Sequence, residues 1–296
     1  MKHYNIAFYY FGLAFLFGNI AFTVPASAQE SSKPVVVTSI KPLAIIAKSA
    51  LQDSATVEFI MPPALSPHDY VLKLSDVRKL AGADAVLWIG SEFEIRGAKQ
   101  FLAIPEKKRI TAMNILNLSS KSNSAQSDEV HLTDHHHDNG VDPHIWLSPV
   151  LANQLAEKIL RHFGLPVEQI FSNGSRKVLE DLLAPVKNKS YIVHHQGIGH
   201  FIDAFKLKPA LSIRDMLGKQ QGAKTQYNLR LEGKKNAVSC VFIEPQHGDK
   251  DAKAIAKDLS IPTASIDILA VASGDQLPSY ESYIYGLAKQ FINCFQ

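Results

Sequence analysis

Charge imbalance, cysteine and two common nucleotide and hydrolase signatures are what this sequence has little of or lacks. Lys and Arg number 31 against 28 Asp and Glu, a formal net charge of +3 at pH 7. That balance argues against a nucleic-acid partner, whose phosphates call for a strong basic excess. No G-x-x-x-x-G-K-[ST] stretch occurs, so the chain has no P-loop for ATP phosphates. No H-E-x-x-H occurs either. A zinc hydrolase would then need an open metal position and another general base, for which Glu244 is the candidate. The only cysteines are Cys240 and Cys294.

The first 28 residues carry the compartment signal. Lys2 is followed by an apolar stretch from Ile6 to about Val24, and Ala26-Ser27-Ala28 forms an A-x-A cleavage site. That pattern reads as a secretory signal peptide over 1–28. The stretch approaches the roughly 20 residues of a membrane-spanning helix, but the A-x-A site favours cleavage over an anchor. No cysteine lies near the site, which argues against lipidation. Cleavage removes only Lys2 among the charged residues and leaves a net +2. Both cysteines then meet an oxidising compartment, and a Cys240–Cys294 disulfide is expected over two free buried thiols. Closing so long a loop adds roughly 4 kcal/mol in the chain-entropy description.

Beyond the signal, strand-like and helix-like runs alternate. Strands are predicted at 35–40, 56–62, 84–90 and 109–114, with a helix over 75–83 opened by Ser75 as N-cap. Residues 117–141 are Ser, Asn, Asp and His with few large apolar residues, a solvated loop. A helix is predicted over about 149–162, and a second helical segment over about 167–187, broken at Asn173-Gly174. Strands follow at 190–195, 209–213, 237–245 and 262–269, and a helix over 279–295 closes the chain. The alternation predicts an α/β protein of two lobes, each a mostly parallel sheet flanked by helices. The expected divisions are a first lobe over 29–148 that includes the loop 117–141, a helical linker over 149–187, and a second lobe over 188–296. Ligands of such sheets bind beyond the carboxyl ends of the strands, here in the cleft between lobes.

Three histidines fall at those ends. His68 lies in "PPALSPHDY" after the second strand, His144 in "DPHIW" after the polar loop, and His195 at the end of "YIVHH". Glu244 and Asp267 stand near the ends of two later strands. Imidazoles with carboxylates suit Zn2+ best, with manganese or iron as alternatives. His194 should point to the other face of its strand, because strand neighbours alternate. His200 falls in the following helix and reads as structural.

The stretches "SPHDYVLKLSDVRKLAGADAVLWIG", "DPHIWLSP", "YIVHHQGIGHF" and "CVFIEPQ" resemble the periplasmic zinc-binding proteins of zinc ABC importers, within the metal-binding cluster of substrate-binding proteins. The resemblance covers nearly all of 33–296. It implies a monomeric periplasmic protein that captures Zn2+ and delivers it to a membrane permease with a cytoplasmic ATPase. It places ligands at His68, His144 and His195, and leaves the fourth position to Asp267, Glu244 or water. It also implies that the His-rich stretch at 128–138, with His135, His136 and His137, is an accessory metal-collecting arm, and that Cys240 pairs with Cys294. Three adjacent histidines on a flexible loop would have to order the backbone, at roughly 1–2 kcal/mol per residue, to close a site of their own. The third histidine and the loop favour zinc over the manganese members, which commonly use two histidines and two carboxylates. This chain departs from the family pattern with Gln196 after the third histidine, Pro67 before the first, and a short, glycine-containing linker.

Overall fold

Short runs of branched and aromatic residues form two parallel sheets. The computed structural model describes residues 1–3, 32–115 and 141–296, so the histidines at 135–137 lie outside the described residues. Residues 33–296 form one compact unit. In the first sheet the strands are β1 (Val35–Thr38), β2 (Thr56–Phe59), β3 (Ala85–Trp88) and β4 (Arg109–Thr111). Their order is β2-β1-β3-β4, all parallel, with Val36 opposite both Val57 and Ala85 and with Leu87 opposite Ile110. The second sheet repeats the plan with β5 (Ile192–His195), β6 (Leu211–Arg214), β7 (Val241–Ile243) and β8 (Thr263–Ser265), in the order β6-β5-β7-β8. The inner strands β3 and β5 are buried along their whole length. Both faces of a parallel sheet are covered by helices, which is why such strands are apolar rather than alternating.

The covering helices of the first lobe are α1 (Lys41–Leu51), α2 (Leu74–Gly82) and α3 (Ala98–Leu102). Pro42 sits in the first turn of α1, where a missing N–H costs nothing. Helix α2 differs from the expected start: Lys73 is the N-cap and Ser75 lies inside the first turn. The cap comes from Asp76, whose Oδ2 accepts the Lys73 N–H at 2.7 Å and the Tyr70 hydroxyl at 2.9 Å. A carboxylate at the positive end of the helix outcompetes the serine hydroxyl.

After β4 and the 3-10 turn Ile145–Leu147 come α4 (Pro149–His162) and α5 (Asn173–Leu183). Ser148 caps α4 by accepting the Leu151 N–H. The segment expected to be helical from 167 begins instead at Asn173. The Ser172 hydroxyl caps it there, accepting the Ser175 N–H at 3.0 Å, while the Asn153 side chain binds the bend at Ile170 and Phe171. Asn173-Gly174 is thus the start of a helix rather than a break in one. Helices α6 (Gly199–Phe205), α7 (Ala223–Lys235) and α8 (Lys250–Leu259) cover the second sheet, and α9 (Tyr280–Asn293) closes the chain.

Helix α9 returns to the first lobe, where the Tyr280 N–H donates to the Ser49 hydroxyl of α1 at 2.9 Å. One apolar core runs through both lobes, from Val36 and Trp88 through Trp146 and Tyr280 to Phe242 and Phe291. A smaller cluster around Ile192, Ile213, Val241 and Ile255 packs α7 and α8 onto the second sheet. Cys240, just before β7, is bonded to Cys294 at the end of α9, and both are buried.

Candidate metal centre

His68 follows β2 by way of a proline-rich turn, and His144 precedes the turn Ile145–Leu147. His195 ends β5, the inner strand beside β7. In a sheet of order β6-β5-β7-β8 the crossovers leave β5 and β7 in opposite directions, so their carboxyl ends open a crevice. The three histidines are 6%, 1% and 1% exposed, and one ring nitrogen of each lies within 4.8 Å of the others. The ring centroids are 5.7 Å apart for His68 and His144, 6.2 Å for His68 and His195, and 5.0 Å for His144 and His195.

Two carboxylates set the rings. His144 Nδ1–H donates to Asp142 Oδ1 at 2.7 Å, and the His144 backbone N–H donates to the same oxygen at 2.9 Å. His195 Nδ1–H donates to Glu244 Oε1 at 2.6 Å, and Glu244 Oε2 accepts the Gln246 amide at 2.8 Å. Protons held on the Nδ1 atoms leave the Nε2 lone pairs free. Those two Nε2 atoms are 3.1 Å apart. Lone pairs that close repel each other unless a cation lies between them. A tetrahedral zinc with N at 2.0–2.1 Å sets ligand nitrogens about 3.3 Å apart, so the arrangement fits that ion. Gly197 makes room for it: a Cβ there would fall 2.2 Å from His195 Nε2.

Apart from the histidines and Gln246, the walls are apolar. Pro67, Phe93, Trp146, Ile268 and Leu269 line, with the histidines, a cavity of about 10 Å³, close to the volume of one water-sized sphere. Trp146 Nε1–H donates to the Ile268 carbonyl at 3.0 Å, and the Tyr280 hydroxyl donates to the Trp146 carbonyl at 2.8 Å. These bonds tie the turn that carries His144 to the second lobe.

Burial, then the neighbouring histidines, pulls the His68 imidazolium down to about 2. Burial also lowers His144, against the opposing pull of Asp142. Burial alone would raise the Asp142 and Glu244 carboxyls, but their histidine partners outweigh it, taking Asp142 to about 2 and Glu244 below its usual range. His68 and His144 are therefore held as neutral imidazoles, with Asp142 and Glu244 anionic in the same site, the protonation state that metal coordination requires.

Two residues escaped the sequence reading. Asp142 stands two positions before His144, a carboxylate–x–histidine spacing that could have flagged it. His247 follows "IEPQ" at the carboxyl end of β7, the same kind of position that pointed to the other histidines, and it lines the same cavity. Asp267 is placed elsewhere than expected. Its Oδ1 and Oδ2 accept the Val271 and Ala272 N–H groups, each at 2.8 Å, so they cap the turn Val271–Ser273, and it belongs to neither group of clustered ligand atoms among the described residues. Gln196 is exposed and takes no part. His194 turns away from His195 toward Asp251, with Nε2 3.0 Å from Oδ1, and His200 Nε2 lies 3.0 Å from the Asp142 carbonyl.

The family described as "Zinc-uptake complex component A periplasmic" matches residues 36–164 and 175–294. The high-affinity zinc uptake system protein ZnuA of Yersinia pestis is 30% identical, over 92% of this chain and 94% of its own. The protein of the same name from Haemophilus influenzae is 27% identical, over 90% and 95%. Among solved structures, the periplasmic zinc binding protein TroA from Treponema pallidum shares the fold with a TM-score of 0.73 at 16% identity, over 89% of this chain and 99% of its own. A crystal structure of ZnuA does so with a TM-score of 0.68 at 22% identity, over 90% and 100%.

Proposed function

We propose that this chain, which belongs to the periplasmic zinc-uptake complex component A family, captures Zn2+ with His68, His144 and His195 and delivers it to an ABC permease for import. The observation that carries the reading is the pair of Nε2 atoms 3.1 Å apart, one from each lobe, each ring backed by its own carboxylate. Such a site is buried between the lobes and lined mainly by apolar side chains. It is suited to holding an ion rather than to presenting an open metal position to a reacting substrate, and the family is a substrate-binding one. The chain is accordingly a carrier, not an enzyme, and the energy for transport comes from a separate ATPase on the cytoplasmic side of the permease. Residues 1–28 act as the export signal to the periplasm, and the mature chain works as a monomer. The connection 149–187 joins the lobes. The stretch that contains His135, His136 and His137 collects ions for the main site.

The fourth ligand is open to Glu244, a water or another cavity residue, while each Asp267 oxygen already accepts a backbone N–H. A zinc titration of three forms tests the assignment: the intact protein, His144→Ala, and a deletion of 128–138. His144→Ala should lose the tight site, and the deletion should lose only weaker, additional binding. Tight binding abolished by the deletion alone would overturn this division. Competition between Zn2+ and Mn2+ on metal-stripped protein tests the choice of ion, and manganese winning at equal concentration would reverse it.

A further inference from the structure

A second group of donor atoms lies beside the three-histidine site and shares one residue with it. His195, Glu244 and His247 each offer a ligand atom, and the three atoms lie within 4.8 Å of one another. All three come from the second lobe: His195 ends β5, Glu244 follows β7, and His247 ends the turn Pro245–His247. The three-histidine group, in contrast, draws His68 and His144 from the first lobe. Glu244 and His195 are buried and His247 is half-buried, so these are interior donors rather than surface groups. The His247 ring stands 4.9 Å from that of His195. It rests against Gly218, where a φ of 74° and a His247 carbon 3.0 Å from the place a Cβ would take both favour glycine. The neighbouring cation, Arg214, is matched by Asp251, whose Oδ2 accepts its Nε–H and Nη2–H at 2.9 and 2.7 Å. Glu244 therefore remains as the negative charge available to a divalent ion. Two imidazoles and one carboxylate form a donor set that suits Zn2+ or Co2+.

We propose that the second lobe has a metal position of its own, His195–Glu244–His247, which overlaps the three-histidine position and exchanges one ion with it. The inference rests on the reading that His68, His144 and His195 hold Zn2+. A neutral imidazole has one lone pair, so His195 serves one position at a time, and the two positions hold one ion between them. An ion that moves from the first to the second gives up His68 and His144, keeps His195, and gains Glu244 and His247. Glu244 exchanges one of its hydrogen bonds, to the His195 ring or to the Gln246 amide, for the metal bond. An ion detached from the first lobe is then still held by the second, so release has two steps.

The test uses the full mature chain with His131, His135, His136 and His137 replaced by serine, so that the loop contributes no histidine ligand. Co2+ is titrated by its visible spectrum and Zn2+ by competition against it. The variant His68→Ala/His144→Ala should retain one Co2+ per chain, more weakly than the parent. Adding His247→Phe, or His247→Gln as a second variant in case the first fails to fold, should weaken that residual site about tenfold or more, equivalent to about 1.4 kcal/mol. The proposal is overturned if the double variant binds no Co2+, or if either triple variant binds it as well as the double does. A tight site that survives His144→Ala would sink the underlying three-histidine reading instead, and it is read from a different variant.

Discussion

His144 and His195 meet across the cleft with their Nε2 atoms 3.1 Å apart, while Asp142 and Glu244 hold the opposite nitrogen of each ring. The carboxylates fix which nitrogen is free to bind. Asp142→Asn and Glu244→Gln should each weaken Zn2+ binding about 10- to 100-fold, the usual effect of losing an outer partner of a metal-bound histidine. Isothermal titration of the metal-stripped variants measures this. Unchanged affinity in both would mean that the carboxylates do not orient the rings.

Asp267→Asn separates ligand from scaffold. Its oxygens accept the Val271 and Ala272 N–H groups, and the amide nitrogen of Asn cannot accept. Stability should fall by about 0.5–1.5 kcal/mol, the net worth of one lost hydrogen bond at a part-buried turn, while Zn2+ affinity in the folded variant stays within about threefold, a difference below 1 kcal/mol. Urea unfolding and a zinc titration read the two effects separately. A large loss of affinity without loss of stability would restore Asp267 to the metal.

Lys41 is 1% exposed, and its ammonium donates to the Ala270 carbonyl, the Ser273 hydroxyl and the Gly274 carbonyl at 2.6–2.7 Å. It joins α1 of the first lobe to the turn that follows Asp267 in the second. Burial lowers its pKa, against the pull of Asp267 and Asp275. Lys41→Met keeps the volume but leaves those acceptors without their donor. Unfolding should become easier by roughly 2–4 kcal/mol. A melting curve that coincides with the parent would show that the contact contributes nothing net.

Acid should destabilise the metal-free protein. The folded state depresses His68 to about 2 and His247 to about 4, and lowers His144 and His194. Between pH 6.5 and about 4 the unfolded chain binds protons at His68 and His247 that the folded chain refuses, and His144 and His194 act in the same direction. Stability is thus full above pH 6.5 and falls as the pH drops, by about 1.4 kcal/mol per pH unit for each such group. Glu94 opposes one of them: its buried carboxyl is raised to about 7, so its contribution is present at low pH and lost as pH rises through 7. Several histidines outweigh one carboxyl, and the melting temperature should drop from pH 7 to pH 5. A flat profile would contradict the neutral, buried imidazoles.

Replacing Cys240 and Cys294 with serine should cost about 4 kcal/mol, the chain-entropy value for a loop of this length. In a chain of this size that lowers the melting temperature by roughly 8–16 °C. Calorimetry of the variant beside the parent under reducing and non-reducing conditions checks it. A parent insensitive to reductant, with a variant equally stable, would show that the bond adds no stability.

Local patterns made much of this protein legible in the sequence alone. Branched runs such as "VVVT" and "AVLW" name strands because a parallel sheet buries both faces, and their alternation with helices determines the two-lobe α/β plan. Strand ends determine where ligands can sit, which singled out His68, His144 and His195. The start of α2 differs from the sequence expectation because the capping group, Asp76, lies inside the helix and reaches back. The rest is decided over longer distances. Glu244 orients His195 from 49 residues away, and Lys41 finds its acceptors 229 to 233 residues on. Asp267 stands at a strand end as expected, yet the chain turns back and claims both of its oxygens. Composition and periodicity determine which residues are buried and on which elements. Which lone pair points at which neighbour depends on side-chain angles set by packing across the cleft, and only the tertiary structure decides that.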